Sequence, residues 1–321
     1  MEVSIRPWKI EDAKDLAAAI NNTRVLDNLR DGIPYPYAER DAIDFIHEAQ
    51  SAFAGTQYPF AITVDGKVIG SLGVFRNGNV HRLTAEMGYF IAEAYWGKGI
   101  MTEAVSQACA FIFKYTDILR IYAEPYAFNK ASCRVLEKAG FQLEGTLRQN
   151  AQKNGRIVDM LMYAKLRTYP IRRLSLSDMG AALELVWQVF AEFDAPDFTD
   201  EGIEEFKASI APAYFLPRVK RGEYRLWGAY DNDFLAGVIA TRAPMHISLL
   251  FVDRQYHRRG LARALLQAAL EDAATRTAPR AITVNSSPYA VEIYRHMGFV
   301  PTEMEQTRNG LRFTPMQCIL A

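Results

Sequence analysis

The chain has 321 residues, half of them hydrophobic, and its 37 Lys plus Arg balance 37 Asp plus Glu. That length suits two ordinary domains, and a net charge of zero gives no global attraction to nucleic acid or an anionic membrane. No apolar run reaches the about eighteen residues that span a bilayer, and three cysteines (Cys109, Cys133, Cys318) supply neither a disulfide framework nor metal-ligand spacing. The first residues, MEVSIRPWKIEDAKDL, lack the apolar stretch of a secretory signal. The expectation is a soluble cytoplasmic protein with no metal, no nucleic-acid partner and no membrane association.

Taken in order, the first half predicts a strand at Val3–Ile5, a helix from about Glu11, and a turn-rich aromatic stretch over 21–46 that leads into another helix. The run FAITVDGKVIGSLGVFR reads as a hairpin turning at Asp65-Gly66, since two alternating strands flank a pair that adopts positive φ. A strand at 85–92, a helix from about Gly99 to Tyr115, a strand at 120–125, a helix at 130–139 and two more strands follow, closing near Leu166. The second half repeats this order. A strand at 171–174 precedes a helix opening at Ser177-Asp178, a favourable N-cap pair. A second helix starts near Thr199, whose capping-box partner is the glycine Gly202, so that box is absent. A hairpin around Asp231-Asn232, a strand at 245–252, a helix at 260–274, a strand at 281–284, a helix at 288–297 and two strands complete the chain. The domains read as 1–168 and 169–321, with so short a link that they are expected to pack on one another.

Two passages are nearly the same: TAEMGYFIAEAYWGKGIMTEAV and ISLLFVDRQYHRRGLARALL. Each is an apolar strand, a glycine-containing link and an amphipathic helix, and each is followed by a helix ending in Gly-Phe (Gly140-Phe141, Gly298-Phe299). A glycine link that runs straight into a helix leaves several N–H groups unpaired at the positive end of the dipole, which suits a phosphate or pyrophosphate. Glycine at 97 and 99 permits close approach of an anion. His257-Arg258-Arg259-Gly260-Leu261-Ala262 has the same arrangement with added positive charge. Either motif alone is also the pattern of a plain tight turn; neither a nucleotide P-loop nor a Rossmann glycine triplet fits.

At these residues the chain resembles the GNAT superfamily of acyl-CoA-dependent N-acetyltransferases, in both halves. The family's motif is Gln/Arg-x-x-Gly-x-Gly/Ala after the fourth strand; with Gly97 set against Gly260, Ala94 and His257 stand at its first position and depart from it. The first half resembles the ribosomal-protein N-acetyltransferase branch through AEMGYFIAEAYWGKGIMTEA, NKASCRVLEKAGFQLEG and NGRIVDMLMYAKL. The second is similar to a generic branch through HRRGLARALL, NSSPYAVEIYRHMGF and RFTPM. The resemblance implies an α/β (α+β) fold in two tandem domains, each a twisted, mostly antiparallel sheet whose fourth and fifth strands splay at a bulge. It implies acetyl-CoA as co-substrate and transfer to an amine by direct attack. The acceptor is a small-molecule amine or a protein N-terminus, and the assembly a monomer with pseudo-dimeric domains or a homodimer. The alternatives are catalysis by one half alone, with the other a degenerate copy that mimics a dimer partner, and a non-catalytic acyl-CoA-binding sensor or interaction module.

The cofactor's pyrophosphate is expected on the backbone of Trp96, Gly97, Lys98, Gly99, Ile100, Met101 and Thr102, and again on Arg258, Arg259, Gly260, Leu261, Ala262 and Arg263. Its pantetheine arm is expected along strand four, including Val252. Asn129 and Ser132, spaced N-x-x-S at a helix start, imply a cofactor contact and a proton donor to the sulfur; simple N-capping by Asn129 is the other reading. Asn285-Ser286-Ser287 is the corresponding strand end. Tyr294 lies where the superfamily often keeps the tyrosine that protonates the thiolate, or else it is a core aromatic. Sliding Gly140 onto Gly298 sets Leu136 opposite it. Glu86 is the leading base of the first half if Met87 and Tyr89 face away, though a strand carboxylate on a solvated face is equally ordinary. The Gly97–Gly260 alignment sets Leu249 opposite Glu86 and leaves Glu192, Asp194 or water as base in the second half. Arg30, Asp31, Tyr35 and Tyr37 form a candidate acceptor wall, with Glu192, Phe193, Asp194 and Tyr214 in the comparable region. His47, His81, His246 and His296 read as surface or structural. Arg254, Arg258, Arg259 and Arg263 suit the cofactor's ribose phosphate or a solvated helix start.

Overall fold

In the computed structural model, which describes residues 1–52, 55–276 and 279–320, the chain divides into two units, Met1–Arg167 and Thr168–Ala321. Unit one runs β1 (Val3–Arg6), α1 (Ala13–Ile20), α2 (Thr23–Leu26), α3 (Glu39–Ala52), β2 (Gln57–Val64), β3 (Lys67–Arg76), β4 (Thr84–Ile91) and α4 (Ile100–Tyr115). It continues with β5 (Arg120–Ala123), α5 (Lys130–Lys138), β6 (Gln142–Lys153) and β7 (Arg156–Leu166). Its strands are ordered β1-β2-β3-β4-β5-β7-β6, antiparallel throughout except where β4 meets β5.

Local chemistry explains the elements that frame the cleft. Asp65 (φ 47) and Gly66 (φ 84) both take left-handed backbone, the geometry whose twist matches a two-residue hairpin. The turn into α1 is closed by Asp12, which accepts from the Lys9 N–H at 2.9 Å and pairs with Arg6 at 2.7 Å. Alternation along β4 sends Ala85, Met87, Tyr89 and Ile91 to one face, where they pack with Ile100, Ala104 and Ile112 of α4 and Leu136 of α5. Phe90, of the opposite parity, joins Leu16, Ile20, Ala42 and Ile46 of α1 and α3 on the other face. Glu86 therefore faces away from α4, as expected.

Unit two runs β8 (Ile171–Arg173), α6 (Met179–Phe193), α7 (Asp200–Ile210), α8 (Pro212–Lys220), β9 (Arg225–Asp231), β10 (Phe234–Arg242), β11 (His246–Val252) and α9 (Leu261–Ala274). Then come β12 (Ala281–Ser286), α10 (Val291–His296), β13 (Val300–Pro301), β14 (Gln306–Arg308) and β15 (Leu311–Ile319). The strand order is β13-β15-β12-β11-β10-β9-β8, with β14 on β15, and β11 with β12 is parallel. Again two clusters form, one under α9 and α10 and one under α6.

Three local expectations change. The cap before α6 is Ser175, which forms a capping box with Asp178 around a short 3-10 turn, rather than Ser177-Asp178. Helix α8 was not anticipated; it forms with Pro217 inside it. Pro212 stands at its first position, where the missing N–H is harmless. Three strands, not two, close the unit. Thr199 does cap α7, accepting from the Gly202 N–H at 3.3 Å. A Cβ at Gly202 would lie 2.3 Å from the Gly310 carbonyl oxygen, so the turn before β15 fills the place a capping-box glutamate needs. Among the described residues no helix is long and apolar enough to cross a membrane, and no group of three or more His, Cys, Asp or Glu could hold a metal.

Candidate active site

Each sheet opens into a fork. β4 and β5 pair only over Thr84–Glu86 with Arg120–Tyr122, and β11 and β12 only over His246–Ile247 with Thr283–Val284. Beyond those rungs, Met87–Ile91 and Ser248–Val252 each keep one edge without a strand partner, a ready template for an extended ligand. The expected bulge is present only in unit two, where Leu249 and Ile247 face consecutive Ala240 and Thr241 and Ser248 is the extra residue. In unit one the pairing of β3 with β4 runs without a shift. There β5 ends ahead of Pro125, which has no N–H to carry the ladder onward.

At the mouth of each fork the same loop is built twice. Gly97 (φ 73) and Gly99 (φ 80) are left-handed before α4; Arg258 (φ 60) and Gly260 (φ 81) are left-handed before α9. The backbone thus matches Gly99 with Gly260 and Gly97 with Arg258, which corrects the alignment of Gly97 with Gly260. Trp96, not Ala94, is the counterpart of His257, and Met101 stands where Ala262 does, so the first copy lacks the small residue of the family motif. The first helical bond is Glu103 N–H to Gly99 O at 3.2 Å in one copy and Ala264 N–H to Gly260 O at 3.0 Å in the other. The preceding amides have no helical partner and converge at the positive end of the dipole. A Cβ on Gly97, Gly99 or Gly260 would meet no atom within 4 Å, so the concave side has room for a phosphate. Arg258 holds left-handed backbone without glycine's freedom, at a cost of about 1 kcal/mol.

A side-chain staple fastens each loop to its strand. The Trp96 indole Nε1 donates to the Ile91 carbonyl at 3.0 Å, and His257 Nε2 lies 2.8 Å from the Val252 carbonyl. Lys98 sits over the Tyr95 ring at 5.4 Å, and Arg259 over Tyr256 at 4.9 Å. These contacts correct two expectations. The Val252 carbonyl is already engaged by His257, leaving the earlier residues of β11 for an extended arm. The four arginines do not form one anion grip: Arg254 pairs with Glu192 at 2.7 Å, Arg259 donates to the Tyr169 hydroxyl at 3.0 Å and Arg263 to the His296 carbonyl at 3.3 Å.

In unit one, the fork carries two carboxylates. Glu86 pairs with Arg30, whose guanidinium also lies 3.7 Å from Glu124. Burial raises the Glu124 pKa, and the charge of Glu86 raises it further against the pull of Arg30. On the opposite face the Ser132 hydroxyl lies 2.9 Å from the Tyr89 hydroxyl, whose own pKa burial pushes up. Asn129 caps α5, accepting from the Ser132 N–H at 3.0 Å. Glu124 and Tyr89 were missed, since only strand pairing shows that Glu124 shares a face with Glu86. Arg30 is flanked by anchored chain: Asp31 pairs with Lys153 at 2.7 Å, and Asp27 accepts from Asn154 at 2.9 Å. Tyr35 is exposed. Tyr37 is a correction, for it is buried against α1 and α3 and its hydroxyl donates to the Asp41 carbonyl at 3.2 Å. Burial lifts its pKa to about 12.

Unit two has different groups at the same places. Tyr122 opposes Glu86 and Thr283 opposes His246, and the extra Ser248 absorbs the offset, so His246 rather than Leu249 is the counterpart of Glu86. Asn285 is the counterpart of Glu124. His246 Nδ1 lies 2.9 Å from Thr283 Oγ1, and burial drops its pKa to about 4, leaving it neutral at pH 7. Tyr294 is in the core, edge-on to Phe299 at 5.2 Å; burial, then Asp194, raises its pKa. Asp194 is itself buried, and burial lifts its carboxyl to about 6 against a hydrogen bond from Ser287.

Comparison with known proteins supplies the family. A model described as an acetyltransferase (GNAT) domain matches residues 2–142, and a second of the same description matches residues 194–320. The chain is 42% identical over 101 residues to the probable N-acetyltransferase YjcK of Bacillus subtilis, an alignment spanning 31% of this chain but only 56% of that protein. It is 30% identical over 169 residues to the uncharacterized N-acetyltransferase p20 of Bacillus licheniformis, covering 51% of this chain and 93% of that one. A solved structure of Mycobacterium smegmatis RimJ in complex with CoA-disulfide aligns at 26% identity and TM-score 0.47, over 51% of this chain and 81% of that one.

Proposed function

The chain belongs to the GNAT acetyltransferase family, with a GNAT domain in each unit, and on that premise we propose that it transfers acetyl from acetyl-CoA to a primary amine, with a cofactor cradle in both units. The observation that carries this reading is the doubled cradle: two left-handed residues, free helix-start amides, and an unpaired strand edge beside them. Acetyl-CoA supplies its acetyl group as a thioester open to direct attack by an uncharged amine. The amides of Gly97 to Thr102 and of Arg258 to Arg263 receive the pyrophosphate, the expected Trp96 amide being already donated to the Glu93 carbonyl at 3.0 Å, and the free edges of β4 and β11 receive the extended arm.

In unit one the acceptor enters as an ammonium ion and takes the place of Arg30 between Glu86 and Glu124. Glu124, whose pKa is already raised, accepts the proton that frees the nitrogen lone pair. Ser132, held by the Tyr89 hydroxyl, gives a proton to the departing sulfur. A small-molecule amine and a protein N-terminus both fit this chemistry. The test is calorimetry with the full chain. Two acetyl-CoA should bind per chain, and Gly99→Asp or Gly260→Asp should each remove one site, because an aspartate in the cradle repels phosphate. Thiol release with an amine panel then checks transfer. One site lost in neither variant would overturn the doubled cradle, and binding without thiol release would favour a sensor.

A further inference from the structure

Resting on the reading that unit one acetylates a primary amine between Glu86 and Glu124, we propose that Gly88 is an open gate for the acceptor's substituents. It lets unit one take amines whose nitrogen-bearing carbon is branched, and its counterpart Leu249 bars them from unit two. Glycine is disfavoured inside a strand, where it commonly marks the close approach of another group. Three glycines lie in β3 and β4, and neighbours within the fold explain two of them. A Cβ on Gly70 would lie 2.2 Å from the Phe90 carbonyl oxygen, and one on Gly73 would lie 2.6 Å from the Phe75 ring. Gly88 is different. Among the described residues, a Cβ there would meet no atom within 4 Å, and its φ lies outside the left-handed region. The residue is exposed although β4 is the middle strand of its sheet.

The open space lies where the acceptor enters. Alternation puts Gly88 on the face of Glu86 and Phe90, away from Met87 and Tyr89. On that face it is the first residue past the last β4–β5 rung, Glu86 with Tyr122. The thioester is expected along the free edge that begins there, and the nitrogen reaches it from the side of Glu86. Groups on the nitrogen-bearing carbon then lie over Gly88. Strand pairing completes the pocket: Gly73 pairs with Gly88 and Phe75 with Glu86, and the Phe75 ring folds back over Gly73. This exposed ring gives the open floor an apolar wall beside the carboxylates, which suits a hydrocarbon branch.

Unit two fills the same place. With His246 opposite Glu86 and Ser248 the extra residue, Leu249 stands opposite Gly88. The same count sets Val252 opposite Ile91, and the two loop staples bind those two carbonyls. Leu249 is only 6% exposed and is packed in the cluster of Leu183, Val186 and Phe190 of α6. Phe251, two residues on, lies 5.9 Å from Phe206, which stacks on Phe190 at 3.8 Å. The face that is open over Gly88 is thus occupied by aliphatic and aromatic side chains in unit two. A slim, unbranched amine is the acceptor class left to it.

The experiment compares butan-2-amine with butan-1-amine, isomers of equal charge that differ in branching at the nitrogen-bearing carbon. Unit one is read in the full-length chain carrying Gly260→Asp and unit two in the chain carrying Gly99→Asp, with thiol release giving kcat/KM for each amine. The branched-to-unbranched ratio is the readout, so a general loss of rate cancels. Gly88→Val should lower that ratio in unit one about 100-fold and Gly88→Ala about tenfold, the discrimination that single methyl groups give in an apolar pocket. Leu249→Ala should raise the ratio in unit two about tenfold. Thermal unfolding shows which variants are folded. Valine at an open strand position is expected to fold, so unit one decides the question even if Leu249→Ala does not. An unchanged ratio in folded Gly88→Val overturns the gate, as does turnover of other amines but not butan-2-amine by the Gly260→Asp parent. A loss of acetyl-CoA affinity in Gly88→Val overturns it too, by giving the space to the cofactor. An unchanged ratio in folded Leu249→Ala, or a unit two silent with both amines, overturns the claim for unit two. Absence of thiol release by the Gly260→Asp parent with every amine of a broad panel overturns transfer itself, the reading beneath.

Discussion

The two forks share a backbone and differ in charge. In unit one the parting strands present Glu86 and Glu124 around Arg30. In unit two the same places hold a neutral imidazole, His246, and an amide, Asn285. The hydroxyls differ too. Unit one draws on Tyr89 of β4 and Ser132 of α5, whereas unit two has Leu250 in the strand and Tyr294 one helical turn further along. In the proposed function the cradle binds what is common to both reactions, and its backbone is written alike twice. The fork meets the acceptor, and there the copies diverge. The proposed function therefore gives the chain two clefts with one cofactor and separate acceptors.

The contrast can be broken residue by residue. The largest effect should come from Ser132→Ala, which removes the proton donor of unit one: kcat for thiol release should fall about 100-fold, with acetyl-CoA affinity held. In a chain carrying Gly260→Asp, an unchanged rate would show that the two forks are more alike than their residues suggest. Next is Arg30→Ala, which empties the seat between the carboxylates. The KM for a dicationic amine should fall about tenfold in unit one and stay constant in unit two, since a like charge no longer competes; steady-state kinetics at low salt reads it. A rise in KM would mean that Arg30 binds the acceptor. Smallest is the staple. Trp96→Phe loses one hydrogen bond, about 1 kcal/mol, and should weaken acetyl-CoA binding about fivefold. Trp96→His should recover much of this, because His257 makes the equivalent bond to Val252. No difference between the two variants would reduce the staple to packing.

Much of the fold was legible because it rests on local rules. Asp65-Gly66 between alternating strands, Asn129 before an amphipathic helix, and glycine-rich links ahead of two helices each carry their own geometry. The site was legible only in part. Gly97 and Gly260 look like partners when glycines alone are matched, yet backbone conformation pairs Gly260 with Gly99, because Arg258 accepts the left-handed turn that Gly97 makes. Tyr37 looks like an exposed aromatic beside prolines and is core. His246 looks like a stray surface histidine and lies at the fork.

By itself, the amino-acid sequence determined that one strand–loop–helix is used twice and that a glycine-containing link opens each helix, because those properties depend on residues a few positions apart. Only the tertiary structure decided which side chains face each fork. Glu86 and Glu124 come together through strand pairing, and Arg30 reaches them from a wall anchored by Lys153. Such meetings depend on register and on where a ladder stops, and a one-residue bulge such as Ser248 is enough to change the partner at every position before it.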